Sequence, residues 1–217
     1  MFKIETFIET GTFKGINAEL HSKNFKEVYT CEKIEEYYKK SFERLNQYPN
    51  VKIFKMDSAE FLKKWRKMNL CKYKCNKKYV MMYCDAHFFN PKDPPKKGKF
   101  QILKELKKLK NMDNVIIIIH DFKNGLGGIT YDGIDLNFEL LKKDLLNVNP
   151  NFVFYTNELG SCSPVTLNYK DITNSGLHLD EETINNLEYA WKEPKLTYRG
   201  ILYCLPKEVK IDGLRKI

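Results

Sequence analysis

The sequence predicts an α/β fold: a doubly wound, mostly parallel sheet of seven strands, with helices on both faces and the last strand antiparallel. Three observations predict this class. Apolar runs alternate along the chain with amphipathic helical patterns, which is typical of parallel sheets. Several runs, such as residues 79–84 and 115–119, are continuously apolar, as expected of strands buried on both faces. The first run, residues 4–8, leads through a glycine turn into a helical pattern, as doubly wound domains begin.

The glycine turn lies in the stretch FIETGTFKGIN at residues 7–17, where the predicted strand stops at Glu9 and the glycines follow as Gly11 and Gly15. Glycine allows the backbone to turn tightly and to approach a ligand closely. The first turn of the helix that follows leaves backbone N–H groups without partners. The stretch therefore predicts a ligand site. An ordinary strand-to-helix turn is the alternative, because short glycine motifs are weak evidence.

Four more strand-like runs follow in order, each succeeded by a helix or a loop. The first five predicted strands are residues 4–8, 28–31, 51–56, 79–84 and 115–119. The predicted helices around them, where apolar residues recur at helical spacing, are residues 17–22, 34–45, 59–67 and 100–109. Ser58 is a favourable N-cap for the third helix. Residues 69–78 are predicted to form a basic loop, and the proline- and lysine-rich residues 90–99 to lack regular structure.

The second half of the chain adds two more predicted strands, residues 152–155 and 200–205, after a glycine-rich loop and a helix over residues 136–146. The insertion between these strands, at about residues 158–199, is long for a connection, and such segments tend to be functional. It contains a predicted helix over residues 180–191 that Asp180 caps. The chain of 217 residues is predicted to be a single domain, residues 1–217, carrying this insertion.

Each of the first five predicted strands ends at a carboxylate, namely Glu9, Glu32, Asp57, Asp85 and, after His120, Asp121. Right-handed crossovers place the ends of parallel strands along one edge of the sheet. That edge is where such folds bind ligands. Acidic residues are depleted in strands, and a buried cluster of carboxylates is costly. The pattern therefore predicts a functional edge.

The chain is 42% hydrophobic and 13% aromatic, which excludes a disordered polymer, and its formal net charge is +9. Two interpretations of the charge stay open, lysines on solvated helix faces and a nucleic-acid surface, because charge alone does not separate them. No apolar run approaches the ~20 residues that cross a bilayer. The N-terminus lacks a signal-peptide core. We therefore expect a cytoplasmic protein without a membrane partner.

Together these motifs resemble the class I S-adenosylmethionine-dependent methyltransferases, over roughly residues 3–157 and the last strand. The stretch ETGTFKG at residues 9–15 looks like the family's first motif, an acidic residue before a glycine-rich turn. The stretches DAH at 85–87 and HD at 120–121 resemble a bacterial and viral subgroup that is mostly uncharacterised. The first motif departs from the usual Gly-x-Gly-x-Gly pattern, because Thr10 and Thr12 replace small residues.

The resemblance implies an enzyme that uses S-adenosylmethionine as its methyl donor. It implies that the turn passes close to the methionine part of the cofactor, with the binding residues Glu9, Thr10, Gly11, Thr12 and Gly15. It puts Glu32 on the ribose hydroxyls, which suit one carboxylate because they form paired charge-assisted hydrogen bonds. It also puts Asp57 and Ser58 beside the adenine, and Asp85 beside the transferred methyl group.

The predicted chemistry is O-methyl transfer to a small molecule or a sugar-like hydroxyl, with the catalytic residues Asp85, His87, His120 and Asp121. A hydroxyl nucleophile needs its proton removed. His87 or His120 is a candidate base, because imidazole titrates near neutral pH. In the alternative arrangement, Asp85 and Asp121, with or without His120, hold Mg²⁺ or a similar divalent cation, as in the catechol-type O-methyltransferases. For His87, a structural hydrogen bond inside its loop also stays open.

Other functions stay open as alternatives. A nucleic-acid methyltransferase acting on RNA or a cap would use the basic surface. However, the stretch DAHF at residues 85–88 lacks the Asn/Asp-Pro-Pro-aromatic motif of the amino-methylating enzymes. A cofactor-binding module without catalysis is a further alternative. A dinucleotide-dependent dehydrogenase would need Gly-x-Gly-x-x-Gly after the first strand, which residues 11–15 do not supply.

Most members of the family carry an N-terminal helical cap that helps to recognise substrate, whereas this sequence starts almost at the first strand. Substrate recognition is therefore expected to fall to residues 88–99, 122–133 and 158–199. The missing cap leaves the predicted pocket open. The expected partners are accordingly a small-molecule acceptor and a second copy of the chain in a homodimer.

Overall fold

The computed structural model describes residues 4–76, 78–86, 100–125, 128, 130–131, 133–157, 177, 179–192, 200–209 and 211–217, with only the backbone for residues 70–76, 131, 186–187 and 189–192. Its strands are β1 (Ile4–Thr10), β2 (Glu27–Glu32), β3 (Val51–Lys55), β4 (Tyr79–Cys84), β5 (Val115–Ile119), β6 (Thr130–Tyr131), β7 (Ile134–Asp135), β8 (Phe152–Thr156), β9 (Leu202–Pro206) and β10 (Arg215–Lys216). Its helices are α1 (Ile16–Ser22), α2 (Glu35–Leu45), α3 (Ser58–Asn76), α4 (Gln101–Leu106), α5 (Phe138–Val148) and α6 (Glu181–Lys192). Within this described part of the chain, none of the helices has both the length and the apolarity to span a bilayer.

Eight of the described strands form one sheet in the order β10-β8-β9-β5-β4-β1-β2-β3. From β3 to β5 every neighbouring pair is parallel. In contrast, β9 runs antiparallel between β5 and β8, and β10 runs antiparallel to β8. The predicted α/β class with a mostly parallel sheet and an antiparallel strand at residues 200–205 is confirmed. The predicted number of seven strands is wrong by one, because β10 is too short and too polar to appear as an apolar run.

Two local predictions are wrong. Residues 69–76 continue α3, although their lysines indicated a basic loop. Lysine is a good helix former, so a run of positive charge does not by itself end a helix. The glycine-rich stretch after β5, predicted to be a loop, contains the hairpin of β6 and β7. The Asp-Gly pair at residues 132–133 of the sequence is a favoured hairpin turn, and Gly133 has a φ of 77°.

Helices cover both faces of the sheet, as predicted. On one face α3, α4 and α5 pack on the strands through side chains such as Trp65 and Leu145. On the other face α1 and α2 pack through side chains such as Leu45. Successive residues of a strand point to opposite faces, so that Ile117 belongs to the first core and Ile118 to the second.

The register of the sheet brings the ends of four strands level with one another. Thr10, the last residue of β1, is paired with Cys31 of β2 and with Cys84 of β4. Cys84 is in turn paired with Ile119 of β5. The residues that follow these strands therefore meet at one edge of the sheet, called the carboxyl edge below.

Candidate active site

The glycine turn after β1 is fastened to the end of β2. The backbone N–H groups of Gly11 and Thr12 both donate to the Cys31 carbonyl, at 3.1 and 3.0 Å. Gly11 has a φ of 84° and Gly15 a φ of 80°, a left-handed conformation that glycine adopts without steric cost. A Cβ added at Gly11 would lie 3.0 Å from the carbonyl oxygen of Asp85. The turn therefore packs directly against the end of β4.

Glu9, the residue before the last of β1, is buried at the centre of a hydrogen-bond network. Its carboxylate accepts from Asn17 Nδ2 at 2.6 Å and from Thr30 Oγ1 at 2.7 Å. The Thr30 hydroxyl also lies 2.5 Å from the Thr12 hydroxyl, so the turn, α1 and β2 meet at this carboxyl group. Burial is the main cause that raises the pKa of Glu9 to about 7; the neighbouring strand-end carboxylates raise it further, and the two hydrogen bonds oppose the rise. Glu9 thus organises the turn, and the cofactor contact predicted for it stays a prediction.

Glu32, at the end of β2, uses both carboxylate oxygens to bind backbone N–H groups. Oε1 accepts from Lys33 and from Ile34, each at 2.8 Å, and Oε2 accepts from Phe13 at 2.9 Å. A carboxylate offers about four acceptor positions, so the chain itself occupies most of them. The paired hydrogen bonds to a ribose that the resemblance implies for Glu32 therefore require some of these backbone bonds to exchange.

Asp57 and Ser58, after β3, are held by the start of α3 and by α4. Asp57 Oδ1 accepts from the Ala59 N–H at 3.0 Å, so Asp57 is the N-cap of α3, which corrects the prediction that Ser58 caps it. The Gln101 amide donates to both Asp57 carboxylate oxygens at 3.2 Å and to Ser58 Oγ at 2.9 Å. The adenine contact predicted for Asp57 and Ser58 stays a prediction. Gln101 lies beside them and donates hydrogen bonds to both.

The ends of β4 and β5 bring Asp85, His120 and Asp121 together. His120 Nδ1 lies 3.1 Å from Asp85 Oδ1 and 3.4 Å from Asp121 Oδ1. One ligand atom from each of the three residues lies within 4.8 Å of the other two. Asp121 is buried and has a φ of 57°, a left-handed conformation that is uncommon outside glycine. Backbone held in such a conformation is concentrated at functional sites.

Electrostatics in this cluster favour a positive charge between the two carboxylates. Burial by itself lowers the pKa of His120, but the nearby carboxylates of Asp85 and Asp121 outweigh burial and raise the pKa to about 9. A raised pKa favours the protonated imidazole, which lacks the free lone pair that a general base needs. The two carboxylates beside His120 therefore disfavour the alternative in which His120 is the base.

Of the predicted site residues, His87 lies outside the described residues, as do residues 88–99 and 158–176, from which substrate recognition was expected. All the others lie at the ends of β1 to β5, on the carboxyl edge. The five predicted acids are thus gathered at one edge, and they fall into two groups. Glu9, Glu32 and Asp57 accept hydrogen bonds from the chain, whereas Asp85 and Asp121 face His120.

The loop after β5 is held by close backbone contact with the residues before β9. The Phe122 N–H donates to the Gly200 carbonyl at 2.8 Å, and a Cβ added at Gly200 would lie 1.8 Å from the Phe122 carbonyl oxygen. Buried Asn157, after β8, accepts from the Ile201 N–H at 2.8 Å through Oδ1. The carbonyl of Asn157 accepts from Asn124 Nδ2 at 3.1 Å. These contacts fix the backbone that follows Asp121.

Sequence reasoning missed several polar residues that hold this edge together: Asn17, Thr30, Gln101, Glu105, Asn124 and Asn157. Glu105 is 1% exposed, and its carboxylate accepts from Thr10 Oγ1 at 3.4 Å. Gln101 and Glu105 are one helical turn apart beside the apolar residues of α4. Polar residues at this spacing on a buried helix face were the available signal for them. The other residues carry no such signal, because a single Asn or Thr is common in any surface turn or strand.

The chain matches no protein-family model and no curated protein. Solved structures that align with it include a SAM-dependent methyltransferase from Archaeoglobus fulgidus, with 14% identity and a TM-score of 0.45 over 94% of this chain and 87% of that chain. A precorrin 8W decarboxylase from Methanobacterium thermoautotrophicum aligns with 13% identity and a TM-score of 0.46, over 94% of this chain and 83% of that one. For a SAM-dependent methyltransferase from Anabaena variabilis the identity is 11% and the TM-score 0.42, over 70% of this chain and 66% of the other, just under two thirds of its length. Similarities at these identities and TM-scores carry no argument about activity.

Proposed function

We propose that the protein is an S-adenosylmethionine-dependent methyltransferase that acts on a hydroxyl of a small molecule or a sugar-like acceptor. The observation that carries the proposal is the contact between the glycine turn and the end of β4. Gly11 approaches Asp85 so closely that an added Cβ would lie 3.0 Å from the Asp85 carbonyl oxygen. The family resemblance puts the methionine part of the cofactor at this turn and the transferred methyl group beside Asp85. The contact supports a single site that contains both, at the edge where doubly wound folds bind ligands.

The residues present suit this cofactor in part. Gly11 fits, because a side chain at this position would collide with the end of β4. Glu32 fits less well, because its carboxylate already accepts hydrogen bonds from the backbone N–H groups of Phe13, Lys33 and Ile34. When bound, S-adenosylmethionine would supply an electrophilic methyl group on its sulfonium. The task of the chain is then to hold the acceptor oxygen in line with that methyl group. Positioning of this kind is a large part of what an enzyme contributes.

Asp85 is the catalytic carboxylate of the proposal. Its side chain is 31% exposed, so an acceptor hydroxyl can reach it from solvent. A carboxylate in this position would accept the hydrogen bond of the hydroxyl and take up its proton as the carbon–oxygen bond forms, while the carbon–sulfur bond of the donor breaks and S-adenosylhomocysteine leaves. Oxygen is favoured over an exocyclic amine as the nucleophile, because the stretch after β4 lacks the motif that grips such amines. His87 stays the predicted alternative base.

The cluster of Asp85, His120 and Asp121 also fits a divalent cation. Two carboxylates and an imidazole nitrogen, with ligand atoms within 4.8 Å of one another, form a donor set that suits Mg²⁺ or Mn²⁺. Asp85 and Asp121 would be the ligands, with His120 as a third. A divalent cation bound there would lower the pKa of an acceptor hydroxyl. Two carboxylates this close need a positive charge between them, which either the cation or the proton on His120 supplies.

Calorimetry of the purified protein with S-adenosylhomocysteine and, separately, with NAD tests the proposal. We expect S-adenosylhomocysteine to bind and NAD not to bind. Gly11→Val should abolish binding, because its side chain would fill the contact with the end of β4. Gly125→Val is the matched control, because Gly125 also has a positive φ, of 93°, but has nothing within 4 Å of an added Cβ. Binding of NAD in preference to S-adenosylhomocysteine, or of neither, would overturn the proposal.

A second candidate function, methylation of a nucleic acid, is favoured by the distribution of charge. The face of the sheet that carries α3 and α4 has exposed lysines that form no ion pair within the described residues: Lys64, Lys67, Lys104, Lys107 and Lys110. On the same face Lys63 and Lys108 both lie 3.4 Å from Glu60. On α2, at the opposite face, Lys39 and Lys40 are paired with Glu35 and Glu36. Positive charge concentrated on one face is typical of surfaces that bind phosphates.

Fluorescence anisotropy with a labelled single-stranded RNA tests this second candidate. If the lysine face binds RNA, the triple variant Lys104→Glu/Lys107→Glu/Lys110→Glu should lose binding and Lys39→Glu/Lys40→Glu should keep it. The affinity of the wild type should also fall steeply as salt is raised. No binding by the wild type at about 50 mM salt would reject this candidate.

The homodimer and the single domain over residues 1–217 with its insertion at about 158–199 are proposed from the sequence. Light scattering coupled to size-exclusion chromatography tests the homodimer. A single cooperative unfolding transition, seen alike by circular dichroism and by tryptophan fluorescence, tests the single domain.

A further inference from the structure

Lys14, which lies between the two glycines of the turn, reaches the start of α6. Its Nζ lies 2.7 Å from Glu182 Oε2, 3.0 Å from Asp180 Oδ2 and 3.4 Å from Thr183 Oγ1. The Lys14 side chain is only 14% exposed, whereas the side chains of Asp180 and Glu182 are 54% and 75% exposed. Lysine is seldom buried to this degree without a charged partner. The two carboxylates therefore hold the Lys14 amine at one place.

The charges at this contact are arranged favourably for both sides. Asp180 accepts from the Thr183 N–H at 2.9 Å and so caps α6, as the sequence predicted. Acidic residues at the start of a helix complement its dipole, and the Lys14 amine offsets the repulsion between them. The hydrogen bond to Glu182 is the main cause that raises the pKa of Lys14. Hydrogen bonds from Thr183 and then from Lys14 lower the pKa of Asp180.

The backbone of Lys14 is fixed to the rest of the carboxyl edge. On one side of Lys14, Phe13 has a φ of 50° and donates its N–H to Glu32 at 2.9 Å. On the other side, the N–H of Gly15 donates to the Thr12 carbonyl at 2.8 Å. Asp180, which Lys14 contacts, belongs to the insertion between β8 and β9. It lies 166 residues after Lys14 in the sequence. Among the described residues, Lys14 therefore links the turn to the start of α6.

We infer that Lys14 is a positioning residue: through Asp180 and Glu182 it holds α6 against the glycine turn, so that α6 forms a wall of the site and its order is coupled to binding at the turn. The coupling to a ligand depends on the proposed function, whereas the contact itself does not. Two measurements separate these parts.

Hydrogen exchange of the free protein tests the contact. In Lys14→Met we expect the amides of α6 to exchange about threefold to tenfold faster than in the wild type, as for the loss of a partly buried ion pair. Lys39→Met is the matched control, because Lys39 also forms an ion pair, with Glu35 on α2, but far along the chain from α6. Lys14→Arg should exchange like the wild type. Adding Glu182→Lys to Lys14→Glu should restore part of the protection. Unchanged exchange of α6 in Lys14→Met would overturn the inference.

Exchange in the presence of S-adenosylhomocysteine tests the coupling. We expect the ligand to slow exchange of α6 in the wild type and to leave it unchanged in Lys14→Met, with the Kd of the variant within about threefold of the wild type. A merely structural contact would not produce this difference. Binding of the ligand without any effect on α6 of the wild type would overturn the coupling. Failure of the ligand to bind would overturn the proposed function instead, and the exchange of the free protein would then decide whether Lys14 positions α6.

Discussion

The two halves of the carboxyl edge use acidic residues in different ways. At the ends of β1 and β2, the carboxylates of Glu9 and Glu32 accept hydrogen bonds from neutral side chains and from backbone N–H groups. At the ends of β4 and β5, Asp85 and Asp121 face the imidazole of His120. The first half is held by neutral donors, and the second by charge.

We propose that this difference separates a scaffold from a site for chemistry. A carboxylate that receives several hydrogen bonds can be held without a counter-charge nearby, although burial still raises the pKa of Glu9. Two carboxylates that face each other do need one, and the protein must hold a proton or a cation between them. Such costly arrangements are concentrated at functional sites. An acidic residue at the end of a strand can therefore either stabilise the fold or belong to a functional site. The groups that donate hydrogen bonds or positive charge to it distinguish the two cases.

The largest effect is expected from Gly200→Ala. This change disrupts the backbone contact between Gly200 and Phe122, which holds the loop after Asp121 in the second half of the edge. The added Cβ would lie 1.8 Å from the Phe122 carbonyl oxygen, and the Phe122 N–H is bonded to the Gly200 carbonyl, so neither backbone can withdraw freely. We expect a loss of about 3 kcal/mol or more in the free energy of unfolding, measured in urea by circular dichroism. Gly213→Ala is the control, with a φ of 81° but nothing within 4 Å, and should lose only about 1 kcal/mol. Equal losses would contradict this account.

Asp85→Asn should lower the activity of the enzyme much more than its stability, which would distinguish the second half of the edge from the first. The change removes a charge from the second half and keeps the shape of the side chain. We expect turnover to fall about 100-fold or more, measured as release of S-adenosylhomocysteine with a hydroxyl acceptor that the wild type methylates. The free energy of unfolding should change by only about 1 kcal/mol, because Asp85 is partly exposed and Asp121 still lies beside His120. Asp113→Asn, an exposed residue before β5, is the matched control and should keep its turnover. A large loss of stability without loss of turnover would make Asp85 a scaffold residue.

Much of the fold could be predicted because its signals are local. The strands Tyr79–Cys84 and Val115–Ile119 begin and end as predicted, because a continuous apolar run is typical of a strand that is buried on both faces of a sheet. The cap at Asp180 was also predicted, because capping involves neighbours in the chain. In contrast, β10 exists only through its pairing with β8, and Arg215 and Lys216 show no apolar pattern.

The acids of the edge could be predicted for the same reason, but their partners could not. Glu32 meets the N–H of Phe13 only after β1 and β2 have paired, and Lys14 meets Glu182 only in the folded chain. Which acid is satisfied and which is left facing another is therefore a tertiary property. No pattern of spacing in the sequence encodes it.

The pH dependence of stability tests the first half at Glu9. Burial is the main cause of its raised pKa of about 7, against 4.5 for an exposed glutamate. The folded state therefore binds this proton more tightly than the unfolded state, so the contribution to stability is fully present below pH 4.5 and is lost as the pH rises through 7. In Glu9→Gln this loss, on the order of 2–3 kcal/mol, should be absent. Denaturation of both proteins at pH 5 and pH 7.5 measures it. Equal changes with pH in the two proteins would show that Glu9 is ionised throughout.

Glu32→Gln is expected to have the smallest effect, and it decides most directly what the first half is for. Glutamine has one oxygen, so if it keeps the bonds from Lys33 and Ile34, its amide N–H₂ is turned towards the N–H of Phe13. We expect a loss of about 1–2 kcal/mol in the free energy of unfolding and faster exchange of the Phe13 amide. If the carboxylate instead served a ribose, stability would stay near the wild type and the affinity for S-adenosylhomocysteine would fall about tenfold or more. Because the backbone and a ribose compete for the same two oxygens, whichever effect is larger assigns Glu32 to the scaffold or to the ligand site.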